Sequence, residues 1–343
     1  MKVNQFPDRT IEIDNEEYLY FGGTAYLGLP THPEFQNLII KNILNWGTAY
    51  GSSRSANIKL TAYENGERFL ADFINADAAL TLSSGMLAGK LVVEILIPET
   101  DLFFHFPDTH TAIKAQNSLP FFIGNKLNPR LLDNRTEKIT ILTDSVPSFY
   151  VQPIDLTILN SIPSNKEITL VIDESHSLGI LGRNGCGIYS TINLPNIKRK
   201  IMVSSLGKAF GLTGGVIASD SEFINNMSTH DTFVSSAGMN AAFVQTMADA
   251  TVIYLQQHKK LKYNLNYINT RLITNKAVLF DPEYPLIYPK VEGINEIFTA
   301  NKIIVTNFKY PTDTKDLNRI VITANHKKED LDTIIQLLNQ NQF

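Results

Sequence analysis

The stretch Leu170-Val-Ile-Asp-Glu-Ser-His-Ser-Leu-Gly179 runs apolar, meets an acid at Asp173 and then turns polar. An apolar run that ends abruptly in polar residues reads as a buried strand leaving its sheet. Similar runs, rich in β-branched and aromatic residues, recur at Ala79–Leu82, Leu102–Phe106, Phe121–Gly124, Ile139–Thr143, Ile201–Ser204 and Gly215–Ala218. Such runs are apolar at successive positions, not alternate ones, which places the strands inside a sheet covered on both faces and therefore mostly parallel. Helical spacing falls between them, most clearly at Thr61–Asn75 and Gly85–Ile97. Strands alternating with helices predict an α/β architecture. Toward the end, a strand at Arg319–Thr323 and a helix over Lys327–Asn341 predict a smaller α+β domain.

Composition narrows the function. The 343 residues are 43% hydrophobic and 19% charged, with a formal net charge of -4. That is the composition of a soluble globular chain with room for a large core. Lys and Arg are dispersed along the sequence, which argues against nucleic acid and anionic membrane as partners. Cys186 is the single cysteine, so neither an intrachain disulfide nor a cysteine-rich metal site is possible. No long apolar run and no apolar leader are evident, and a cytoplasmic location is expected. The seven histidines are too scattered to suggest a metal centre.

In open α/β sheets ligands bind beyond the carboxyl ends of the strands, where Asp173 stands. Taken alone, Asp173 is equally a turn residue or a helix cap. A second segment, Ile201-Met-Val-Ser-Ser-Leu-Gly-Lys-Ala-Phe-Gly-Leu-Thr-Gly-Gly215, sets Lys208 just past another buried strand among glycines and hydroxyls. It is not a phosphate-binding P-loop, because Met202 and Ala209 occupy positions that motif reserves for Gly and Ser/Thr. The pairing of the two segments is what carries chemistry. Pyridoxal phosphate (PLP) needs a lysine to hold its aldehyde and a carboxylate to keep its pyridine nitrogen protonated. Lys208 and Asp173 have those properties. The cofactor's phosphate needs amides at a helix start, and Ser84, Gly85 and Met86 in Leu82-Ser-Ser-Gly-Met-Leu-Ala88 offer one.

With these pieces in order, the sequence resembles the PLP-dependent α-oxoamine synthases, a group within the type I fold of aspartate aminotransferase. The likeness begins at Tyr26-Leu-Gly-Leu-Pro-Thr-His-Pro33. It continues through Gly51-Ser-Ser-Arg54, Tyr63-Glu-Asn-Gly-Glu67, Asp144-Ser-Val-Pro-Ser148 and Asp173-Glu-Ser-His-Ser-Leu-Gly-Ile-Leu-Gly182, and ends at Arg319-Ile-Val-Ile-Thr-Ala-Asn-His326. The resemblance implies a seven-stranded, mostly parallel sheet in a large cofactor domain over residues 46–240. It also implies a small domain over 241–343 and an N-terminal segment, 1–45, packing with that small domain. By the same likeness His110 stacks on the cofactor ring, Ser148 and His176 lie beside its phenolic oxygen and the lysine, and Ser205 contacts phosphate. Ser235 and Ser236 match a pair that reaches the phosphate in a neighbouring subunit, which implies a homodimer.

The departures concern substrate. Thr24-Ala25 stand where the family has Asn-Asp, and Asn307-Phe-Lys-Tyr-Pro311 replaces a stretch whose arginine takes the amino-acid carboxylate. A buried carboxylate requires a cation, so Arg54, Lys309 and Arg319 are the candidates. Ile58, Tyr63 and Gly89 also differ from the family's usual residues. The activity implied is condensation of a small amino acid with an acyl thioester, with loss of CO2. Transamination uses the same lysine and aspartate, and a non-catalytic relative acting as a binding module is the third possibility.

Overall fold

A computed structural model describes residues 1–273, 278–290, 293–308 and 317–340. They fall into two compact units, one of residues 33–148 and 153–251, the other of 1–32, 149–152 and 252–343.

The larger unit is built on a seven-stranded sheet. Its strands in chain order are β1 (Ala78–Leu82), β2 (Leu102–His105), β3 (Leu119–Pro120), β4 (Glu137–Asp144), β5 (Lys166–Asp173), β6 (Ile197–Ser205) and β7 (Gly215–Ser219). Across the sheet they run β1-β7-β6-β5-β4-β2-β3. Strands β3, β2, β4, β5 and β6 pair in parallel, whereas β7 is antiparallel to both of its neighbours. The sheet is thus mostly parallel with one reversed strand, in keeping with the unbroken apolar runs.

One expected strand is corrected. Phe121–Gly124 does not enter the sheet: Phe122–Ile123 turns back on Lys126–Leu127 as a two-stranded hairpin, and the edge of the sheet is Leu119–Pro120. Gly124, at φ 59, makes the reversal possible, since only glycine adopts that conformation freely. The Phe121 ring stacks on Phe106 with centroids 4.1 Å apart, so its apolar character serves a local cluster.

Helix α1 (Pro33–Trp46), α2 (Thr61–Ile74) and α3 (Gly85–Leu96) precede or follow β1. Asn75, at φ 63, caps the end of α2 in the left-handed conformation. In α3 the side chain of Ser84 accepts from the Leu87 amide, and Leu91, Val92 and Leu96 bury against Ile201, Val203 and Ile217 of β6 and β7. Each such aliphatic side chain contributes about 1.5–3 kcal/mol through loss of water contact. That packing fixes the mouth of α3 over the carboxyl end of the sheet.

The smaller unit has a six-stranded sheet ordered Thr10–Ile13, Glu16–Phe21, Ile303–Phe308, Leu317–Val321, Leu286–Pro289 and Val278–Phe280. Its helices include Thr251–Asn269 and Lys328–Gln340. The strand and helix expected near the end are both present, the strand starting two residues early. Among the described residues no helix is long and apolar enough to cross a membrane.

Candidate active site

Strands β4 and β5 carry nearly the same pattern, Ile-Thr-Ile-Leu-Thr-Asp144 and Ile-Thr-Leu-Val-Ile-Asp173, and they pair in register from Ile139 with Ile168 to Asp144 with Asp173. Two carboxylates therefore end neighbouring parallel strands at the same level. Asp173 is 7% exposed, and its Oδ1 accepts from the Ser175 amide at 2.8 Å. Its Oδ2 lies 3.9 Å from Nδ1 of His110, beyond hydrogen-bond reach. Burial and the charge of Asp173 together push the Asp144 carboxyl well above the usual carboxylate range. Like charges this close do not both ionise readily, so Asp144 gives up its proton less easily than an ordinary carboxyl.

His110 follows Asp108, whose φ of 59 starts a tight turn after β2, and the Thr109 hydroxyl donates to the carbonyl of Phe106. The His110 amide donates to Asp144 Oδ1 at 3.1 Å, and the ring Nδ1 accepts from the Ala112 amide at 3.2 Å. An Nδ1 that accepts cannot carry the proton, which fixes the Nε2–H form. Burial, more than the nearby lysines, lowers the pKa of this imidazole, while Asp173 opposes the shift. A neutral ring with its side chain 46% exposed is what results.

Lys208 lies beyond the end of β6, and its Nζ is 2.9 Å from Nε2 of His176. His176 itself follows β5, so the lysine, the imidazole and Asp173 come from adjacent strand ends. Ser175 couples the two loops, its hydroxyl accepting from the Ser205 amide at 2.8 Å. The Ser205 hydroxyl in turn accepts from the Gly207 amide at 3.3 Å. Beneath them Glu174 is fully buried. Its carboxylate receives Ser177, Ile188 and Tyr189, yet burial outweighs these donors and raises its pKa to about 7.

The mouth of α3 meets the same loops. A Cβ on Gly85 would fall 2.8 Å from Cα of Ser205, and one on Gly215 would fall 2.3 Å from the carbonyl oxygen of Ser84. Neither position admits a side chain, so the first-turn amides of Gly85 and Met86 sit directly against the Ser205 loop. First-turn amides have no acceptor within their own helix, and such a cradle with a hydroxyl beside it suits a phosphate. The residues present fit PLP: amides and Ser205 for the phosphate, a neutral flat ring in His110, a buried carboxylate in Asp173 and an amine in Lys208.

The remaining candidates are placed differently. Ser148 is half-buried just before the unit boundary, Ser235 is exposed, and the Ser236 hydroxyl is taken by the Thr232 carbonyl. Arg54 is committed within its own unit. Its guanidinium makes a two-pronged pair with Glu67 at 2.7 and 2.8 Å and stacks 4.1 Å over Tyr63. Arg319, 8% exposed, is a strand residue of the other unit, and Lys309 lies outside the described residues. The sequence reading gave Asp144 no role, although the repeated strand pattern ending in aspartate was the signal for it. Ser175 and Glu174 lie inside the quoted segment, but nothing in sequence shows which loop a short side chain reaches.

The profile of the aminotransferase class I and II family matches residues 151–338, more than half of the chain. The chain belongs to that family, and its fold is that of the type I PLP-dependent transferases. It is 25% identical to a putative 8-amino-7-oxononanoate synthase of Rippkaea orientalis, over 98% of this chain and 93% of that one. It is 28% identical to the 8-amino-7-oxononanoate synthase of Petrotoga mobilis, over 94% and 88%. Among solved structures, a serine palmitoyltransferase from S. paucimobilis with bound PLP superposes with a TM-score of 0.80 at 16% identity, covering 99% of this chain and 91% of that one.

Proposed function

We propose that this chain is a PLP-dependent C-acyltransferase that joins a small amino acid to an acyl thioester, releasing CO2 and a thiol, as 8-amino-7-oxononanoate synthase does. The observation that carries the reading is the meeting of Lys208, His176 and Asp173 at adjacent strand ends, with Lys208 Nζ 2.9 Å from His176 Nε2. The names of the relatives support the choice of reaction. Bound PLP supplies an electron sink for negative charge at the substrate Cα.

The residues of the chain do the rest. The Lys208 amine accepts the Cα proton, and the His176 imidazole holds that amine in place and shares its proton. Asp173 keeps a proton on the pyridine nitrogen, and its hydrogen bond from Ser175 fixes the direction of its free oxygen. His110, uncharged, offers a ring face without competing for that proton. The Gly85 and Met86 amides and the Ser205 hydroxyl hold phosphate, with Ser148 beside the phenolic oxygen. Ser235, and Ser236 once its hydroxyl turns from the Thr232 carbonyl, serve a partner subunit's phosphate in a cytoplasmic homodimer. Because Arg54 is neutralised by Glu67, the substrate carboxylate is left to Arg319 or Lys309.

The test is release of free thiol from acyl-CoA or acyl-carrier thioesters with glycine, L-alanine, L-serine or L-threonine. The purified protein should absorb near ~410–430 nm once loaded with PLP, and the band should shift with the true amino acid. No thiol with any pair sinks the proposal. Transamination is the second reading, favoured by the family profile; ketoacid-dependent consumption of an amino acid without thiol release would establish it.

A further inference from the structure

The smaller unit contains a cavity of about 830 Å³ that has no part in the chemistry above. Lys259 and Lys260, on the helix Thr251–Asn269, and Lys327 and Lys328, sixty-odd residues further on, all line it together with Arg9 and Tyr263. Among the described residues none of the four ammonium groups lies within 4.0 Å of a carboxylate, although Lys262 on the same helix pairs with Glu283. Two acids nearby are otherwise engaged. Asp8 accepts from Asn325 at 2.8 Å and from Thr31 at 2.7 Å, and Asp330 accepts from Arg9 at 2.7 Å.

All four lysines are exposed, and four cations around one concavity, in a chain whose net charge is -4, give it a local potential that attracts anions. A single carboxylate answers one or two of them. Lysines act as point charges for phosphate oxygens, and two lysine pairs brought from separate segments suit a ligand that carries more than one phosphate group. The cavity is of the size that holds a small organic ligand, and Tyr263, 65% exposed, presents a ring at its wall. We propose that this cavity binds an oligophosphate, of the kind carried by a nucleoside diphosphate, with the four lysines on the phosphates and Tyr263 against the base. The site stands independently of the reaction assigned to the other unit.

Calorimetric titration of the PLP-loaded protein with ADP, and separately with inorganic pyrophosphate, tests this, the cofactor filling its own phosphate cradle throughout. Saturable binding is expected, weakening as salt is raised and falling at least about tenfold in Lys259→Gln/Lys327→Gln. The exposed pair Lys41→Gln/Lys126→Gln should leave it unchanged. An advantage of ADP over pyrophosphate that disappears in Tyr263→Ala identifies a nucleotide; equal affinities identify the bare phosphate chain, which keeps the lysine assignment and discards the tyrosine's. No saturation by either probe up to ~10 mM, or unaltered affinity in the lysine variant with its circular dichroism intact, overturns the proposal.

Discussion

Two histidines, one in each unit, show how the same side chain is put to opposite uses. His326 is 4% exposed and stacks on Phe21 with centroids 4.2 Å apart. Its Nδ1 accepts from the Thr323 amide at 2.9 Å, and its Nε2 donates to the Tyr20 carbonyl at 3.0 Å. Both nitrogens serve the backbone, with the non-titrating Thr323 hydroxyl also 3.3 Å from Nδ1, and burial lowers its pKa to about 4. His176 instead spends Nε2 on the amine of Lys208. An imidazole whose partners are backbone groups is a brace, whereas one aimed at a titratable side chain can pass a proton. Identity of residue says little here; the partner decides.

The largest effect should come from removing the partner. Lys208→Ala is expected to lower kcat by about 10⁴-fold, the upper range for a positioned acid–base group, and to abolish the absorbance band. Asp173→Asn should follow at about 10²–10³-fold, comparable to loss of one electrostatic stabiliser, with the fold retained by circular dichroism.

The brace is tested by pH. The folded protein holds His326 neutral down to about pH 4, whereas the unfolded chain binds that proton near 6.5. The stability it provides is present above pH 6.5 and is lost as pH falls through 6.5 to 4, by about 3 kcal/mol at most. Urea titrations across that window should show the loss in the wild type and a flatter profile in His326→Gln. Equal slopes would remove the distinction between the two histidines. Glu174 opposes this trend: its pKa is raised to about 7, so its contribution is lost as pH rises from about 4.5 toward 7. With His326 replaced, that reversed slope should become visible.

The smallest change is predicted for Asp144→Asn. Burial and Asp173 already disfavour its ionised form, and an amide oxygen still receives the His110 amide, so kcat should fall less than about fivefold. A loss matching that of Asp173→Asn would show that Asp144 works as an anion and that the two strand ends are equivalent.

Much of this was legible because buried strands leave long apolar runs and chemistry clusters where they stop. Asp173, Lys208 and the start of α3 are candidates on that ground, and the fold sets them at neighbouring ends of one sheet. Phe121–Gly124 misled because an aromatic run packs a local cluster as readily as a sheet, and only the φ of Gly124 separates the two outcomes. Arg54 was a candidate cation by residue type, but its capture by Glu67 thirteen positions on depends on how α2 packs. The lysine pairs at 259–260 and 327–328 look dispersed along the chain, and only folding gathers them.

The reversed strand β7 has a consequence for biosynthesis. β1 reaches the sheet only through β7, with Leu82 opposite Gly215, more than 130 residues downstream. At ribosomal speeds of about 5–20 residues per second, that strand waits on the order of ten seconds for its neighbour, leaving its edge open meanwhile to other chains. The Ser84–Gly215 contact closes at the same moment. Cofactor capture therefore becomes possible only after the last strand of the sheet has emerged, so the vitamin-derived ligand meets a finished crevice and not a growing one.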